Sequence, residues 1–134
     1  MTIKQTSIHV LASALLAICA SVVYNAVYSS AFELDFSSIL NVGGIVGSTL
    51  IGCLLMGLAY YLSYRWKGEK SLRWINILIS VLSFVSIMGV LGMQLPLAIE
   101  SPEMFPGLAI PMHFFPALSF LVVYSFFEPR HTNK

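Results

Sequence analysis

Four stretches of this chain contain no Asp, Glu, Lys or Arg, and each is longer than a bilayer is thick: Gln5 to Phe32, Phe36 to Tyr64, Trp74 to Ile99 and Met104 to Phe127. About 20 helical residues, each rising about 1.5 Å, cross roughly 30 Å of hydrocarbon. Every stretch therefore spans with residues to spare. In lipid the backbone N–H and C=O groups find no water, which leaves only helices or closed barrels. Barrel strands alternate polar and apolar side chains over about ten residues, and continuous apolar runs such as Phe120 to Val123 break that rule. The expected fold is all-α: an integral membrane four-helix bundle, one domain over residues 1–134, with spans near 8–29, 40–64, 74–97 and 107–127. Composition agrees, since 10% of the residues are charged where a soluble domain carries about 25%. The net charge of +1 gives no global attraction to nucleic acid.

All 7 basic residues fall on one side of this threading: Lys4, then Arg65, Lys67, Lys70 and Arg73 between spans two and three, then Arg130 and Lys134. The opposite connections hold Glu33, Asp35, Glu100 and Glu103 and no base. Short loops rich in Lys and Arg stay inside, so both termini are expected to be cytoplasmic. Lys4 ahead of an apolar run also resembles a cleaved signal. The window Leu16-Ala17-Ile18-Cys19, however, has Ile18 where a cleavage site wants a small residue, and the apolar run continues past Val27. The segment is expected to stay as the first span. Aromatic residues at the span ends, Tyr60, Tyr61, Tyr64, Trp66 and Trp74 inside and Tyr24, Tyr28 and Phe32 outside, are ordinary interfacial anchors.

Span two carries small residues at intervals of four, Gly44, Ser48 and Gly52, with Gly43 and Gly47 beside them. Such a groove admits another helix backbone, either within the protomer or across a homodimer seam. Span one offers a matching strip, Ser13, Ala17 and Ser21, with Asn25 a turn further, and the two strips are expected to meet. In span three, Asn76, Ser80, Ser83 and Gln94 fall on one side of a helix, which should face the interior because a buried unpaired amide is costly. Ser101-Pro102-Glu103 reads as a cap, a first-turn proline and an acid at a helix start. Pro106 and Gly107 are expected to interrupt before the span, and Pro116 inside it removes the hydrogen bond to the Met112 carbonyl.

His113, beside that carbonyl, is the ionisable residue deepest in a span; His9 lies near an inner end. An intramembrane imidazole either shuttles protons or binds a ligand, or it hydrogen-bonds as a neutral group to a neighbouring helix. Asn25 and Gln94 are the expected partners, because both lie in the outer half of their helices. Cys19 and Cys53 read as small apolar core residues. With His113 they make no recognisable metal set, and no cofactor, catalytic triad or phosphate loop is indicated. The acids of the outer connections read as solvated.

Tyr24-Asn25-Ala26-Val27-Tyr28 at the end of span one, Val46-Gly47-Ser48 in span two and Met112-His113 in span four together resemble the bacterial four-span proteins grouped as domain of unknown function 6069. The resemblance implies four spans in a bacterial cytoplasmic membrane and no known activity, and it marks Asn25 and His113 for testing. Small multidrug transporters also have four spans, but their essential first-helix Glu has no counterpart here. The expected function is a non-enzymatic bundle that binds or passes a small molecule or proton near Asn25, Gln94 and His113. The alternative is an accessory subunit, docking another membrane protein or a second copy through the glycine-rich second helix. A membrane enzyme would need a nucleophile or an acid–base pair at depth, and the sequence offers none.

Overall fold

A computed structural model describes residues 2–96 and 99–126, and these form four long helices. Helix α1 runs Ile3–Phe32, α2 Val42–Lys67, α3 Lys70–Leu91 and α4 Phe105–Tyr124, with a 3-10 turn, Pro102–Met104, leading into α4. All four are long and apolar enough to cross a membrane. Arg130, Lys134 and the expected end of the fourth span at 127 lie outside the described residues.

Local chemistry sets the helix boundaries. Thr2 and Gln5 form a reciprocal capping box at the start of α1, the Thr2 hydroxyl accepting from the Gln5 N–H and the Gln5 side chain accepting from the Thr2 N–H at 2.8 Å. Asn41 caps α2 by accepting from the Gly44 N–H at 2.7 Å. Helix α3 ends at Leu91 with Gly92 as its C-cap, short of the expected 97. Gln94 is consequently an exposed loop residue and does not continue the polar side of α3. At the other end of that loop Ser101 takes a left-handed conformation (φ 52°) and its side chain caps nothing. Pro106 and Gly107 do not interrupt α4 either. Pro106 sits in the first turn, where its missing N–H costs no helical bond, and the helix continues through Pro111 and Pro116.

Neighbouring helices run antiparallel. His9 meets Phe120 and Tyr28 meets Met104 across the α1–α4 pair, Val10 lies against Gly57 across α1–α2, and Phe84 stacks edge-on with Phe114 across α3–α4 at 5.1 Å. Helix α1 packs most extensively on α4 and then on α2, while α3 sits diagonally opposite α1.

Two hydrophobic clusters hold the bundle, one toward each end. The first gathers Val10, Ala14, Cys53, Tyr60, Leu72, Ile79, Ala117 and Phe120. The second gathers Phe36, Val90, Phe105, Leu108 and Ala109, with Phe36 edge-on to Phe105 at 5.5 Å. Cys53 is buried as expected, whereas Cys19 is exposed on the outer face of α1.

The expected strip on α1 is the packed one: Ser13, Ala17 and Ser21 are all buried. Its counterpart on α2 is not Gly44, Ser48 and Gly52. The buried side of α2 is Ile45, Thr49, Cys53, Gly57 and Tyr60, one residue and therefore about 100° further round. Gly57 is the glycine that close approach requires, because a Cβ there would overlap a methyl of Val10. A Cβ at Gly47 or Gly52 would meet nothing within 4 Å.

Candidate functional site

Between the two clusters, at mid-height, the bundle is not filled. An open-sided crevice of about 530 Å³ lies among α2, α3 and α4, with Ser21 of α1 on one wall. Helix α3 leaves it open by burying only Leu72, Ile79 and Val90. The small side of α2 widens it, since Ser48 and Gly52 line the space rather than a helix contact. Most of the lining is apolar, including Ile45, Leu55, Ile79, Leu82 and Met112. The polar groups among them are Ser21, Ser48, Thr49, Ser83, Ser86 and His113.

Several of these hydroxyls are already engaged. Ser48 donates to the Ile45 carbonyl at 3.2 Å and Ser86 to the Ser83 carbonyl at 2.7 Å, each within its own helix. Ser21 differs, because it is 1% exposed and its Oγ makes no hydrogen bond among the described residues. A buried hydroxyl left unbonded costs about 1–3 kcal/mol, so a ligand group that bonds Ser21 would recover that cost. Pro116 and Met112 also line the crevice, and Pro116 has no N–H to offer the Met112 carbonyl.

His113 reaches the crevice with an exposed side chain. Its two expected partners do not join it there. Asn25 is half-buried a turn beyond Ser21, Gln94 is in the loop after α3, and neither lines the crevice. No hydrogen bond links His113 to either among the described residues. Comparison with protein-family models, with curated proteins and with solved structures gave no match to this chain. Its chemistry has to be read from its own geometry.

The other span histidine, His9, is the more deeply buried one. Its Nε2–H donates to the Phe120 carbonyl at 2.8 Å, and its ring lies 4.1 Å from the Phe120 ring centroid. Tyr60 and Tyr124 complete an aromatic enclosure with centroids 5.8 and 6.0 Å away. The sequence held a signal for this: His9 stands four residues before Ser13 and so extends the strip Ser13, Ala17, Ser21 by one turn.

At the opposite end of the α1–α4 pair, Tyr24 donates to the Gly107 carbonyl and Tyr28 to the Met104 carbonyl, both at 2.8 Å. Gly107 is four residues before Pro111, so Tyr24 supplies the donor that the proline lacks. These tyrosines, expected as interfacial anchors, are therefore interhelical clasps. Among the described residues, no three His, Cys, Asp or Glu side chains cluster as a metal site would require. In the α1–α2 connection the Asp35 carboxylate accepts from the Ser37 N–H at 2.8 Å, and bonding to Ser37 holds its pKa below the usual carboxylate value.

Proposed function

We propose that this chain is a non-enzymatic membrane bundle, with both termini cytoplasmic, that binds or passes a small amphipathic molecule or a proton at the mid-height crevice. The observation that carries the reading is the crevice itself, an apolar space open at its side with the unbonded Ser21 hydroxyl on one wall and His113 within reach. Apolar pockets with a few convergent polar groups are the usual form of small-molecule sites. A side opening at the middle of the spans admits ligands from the lipid phase. The one-sided basic residues support the orientation, and the resemblance to four-span bacterial proteins supports a bacterial cytoplasmic membrane. Of the residues singled out in the sequence, His113 keeps its place in this reading. Ser21 and Thr49 take the positions first given to Asn25 and Gln94.

Native mass spectrometry of the protein released from gentle detergent tests the proposal. The expected result is a co-purifying small molecule, or a proton flux in vesicles, lost in both His113→Ala and Ser21→Val with helical content unchanged. Ligand and flux that persist in both variants would reject the crevice as the site.

A second reading has one observation behind it. The space beside Gly47 is empty within the protomer, as a docking seam for another membrane helix would need. A stoichiometric partner lost in Gly47→Leu would support it, and a complex surviving that change would exclude it.

A further inference from the structure

The two-residue turn between α2 and α3, residues 68–69, builds a second concavity of about 470 Å³ that the crevice reading does not use. Gly68 takes φ 71° and ψ −164°, a conformation essentially confined to glycine. Ser71 then ties the two helices together, donating to the Ser63 carbonyl at 3.0 Å and the Gly68 carbonyl at 2.7 Å. This fixed turn sets Lys67, the last residue of α2, and Lys70, the first of α3, on the same concavity, between Trp66 and Trp74. No acidic side chain lines it; Glu69, between the lysines, is exposed and lies outside it. Among the described residues neither ammonium is held in an ion pair. Ser63 adds a hydroxyl to one wall, and Ile75 begins the apolar side along which the exposed Leu78 and Leu82 continue.

We infer that this turn binds a phosphate group between the Lys67 and Lys70 ammonium groups, carried by an anionic phospholipid headgroup or taken free from solution. Two cations and a hydroxyl around an otherwise uncharged hollow suit a phosphate monoanion. Basic pockets between spanning helices at headgroup depth hold such groups. Paired indoles suit the glycerol level of a lipid, and the apolar α3 surface below suits its acyl chains.

Both of the protein's tryptophans line the site, so fluorescence excited selectively at tryptophan reports on it alone. Full-length protein is reconstituted into vesicles of phosphatidylcholine with brominated phosphatidylglycerol, or the reverse labelling, and quenching gives the preference for the anionic lipid. The expected result is a clear preference for phosphatidylglycerol that falls about five-fold for each of Lys67→Ala and Lys70→Ala. It should be retained in the control Arg65→Ala/Arg73→Ala, which removes two charges of the same segment that do not line the hollow. An equal loss in that control would overturn a built site in favour of a diffuse positive potential. No preference in the unaltered protein, together with no binding of inorganic phosphate in neutral detergent, would overturn the inference outright. Phosphate binding that depends on Lys67 and Lys70 without any lipid preference would support the phosphate site and assign its ligand to solution.

Discussion

His9 and His113 are the same side chain in opposite surroundings. His9 is fully buried, bonded to a carbonyl of another helix and enclosed by three aromatic rings. His113 is exposed at an open-sided crevice among weakly packed helices. The difference follows from what faces each of them. The end of the bundle around His9 is closed by a cluster to which all four helices contribute, whereas α3 leaves the middle open. In the first region His9 bonds across helices, whereas in the second Ser48 and Ser86 bond within their own helices and the Ser21 hydroxyl makes no bond among the described residues.

Substitutions can break or sharpen that contrast. The largest effect is expected from Gly57→Leu, which drives a side chain into Val10 and should destabilise the bundle by about 3 kcal/mol in detergent-titration unfolding. A change below about 1 kcal/mol would mean that α1 and α2 do not meet there. His9→Ala comes next, at about 2 kcal/mol from the lost hydrogen bond and the space left under Phe120. Tyr24→Phe removes one interhelical bond and should cost about 1 kcal/mol, the usual worth of such bonds in membranes. His113→Ala should change stability by less than about 0.5 kcal/mol while abolishing ligand retention. A large loss of stability there would place His113 with His9 as a structural group. The smallest effect belongs to Asp35. Because its folded pKa lies below the ordinary value, its contribution is present above the unfolded pKa and fades as pH falls through the folded one. Asp35→Asn should remove that part of the acid sensitivity, read as a flatter unfolding profile in the acid range.

The helix count was legible because absence of charge over a span-length run is a strong signal in any sequence. The packed strip of α1 was legible too, since Ser13, Ala17 and Ser21 stand out among larger apolar neighbours. The buried side of α2 was not. A helix solvated by lipid is apolar all round, so hydrophobic periodicity no longer marks the inside, and glycine spacing alone pointed one residue away from the true contact. There, Ile45, Thr49 and Cys53 pack beside Gly57. Two of the small residues that looked like contact surface, Ser48 and Gly52, instead line the crevice. Gln94 was misplaced because Gly92 ends α3 early, while the hydropathy continues past the helix end.

The pairing of α1 with α4 has a consequence for how the chain is made. Helix α1 carries His9, Ser13 and Ser21 on one strip, and it packs about as extensively on α4, three helices later in the chain, as on its sequence neighbour α2. Until α4 arrives, the Phe120 carbonyl that His9 bonds and the Gly107 carbonyl that Tyr24 bonds are not yet present. A chain cut after α3 would therefore leave the His9 ring and the Tyr24 hydroxyl without the carbonyls they bond, so the α1 strip is completed only when α4 docks.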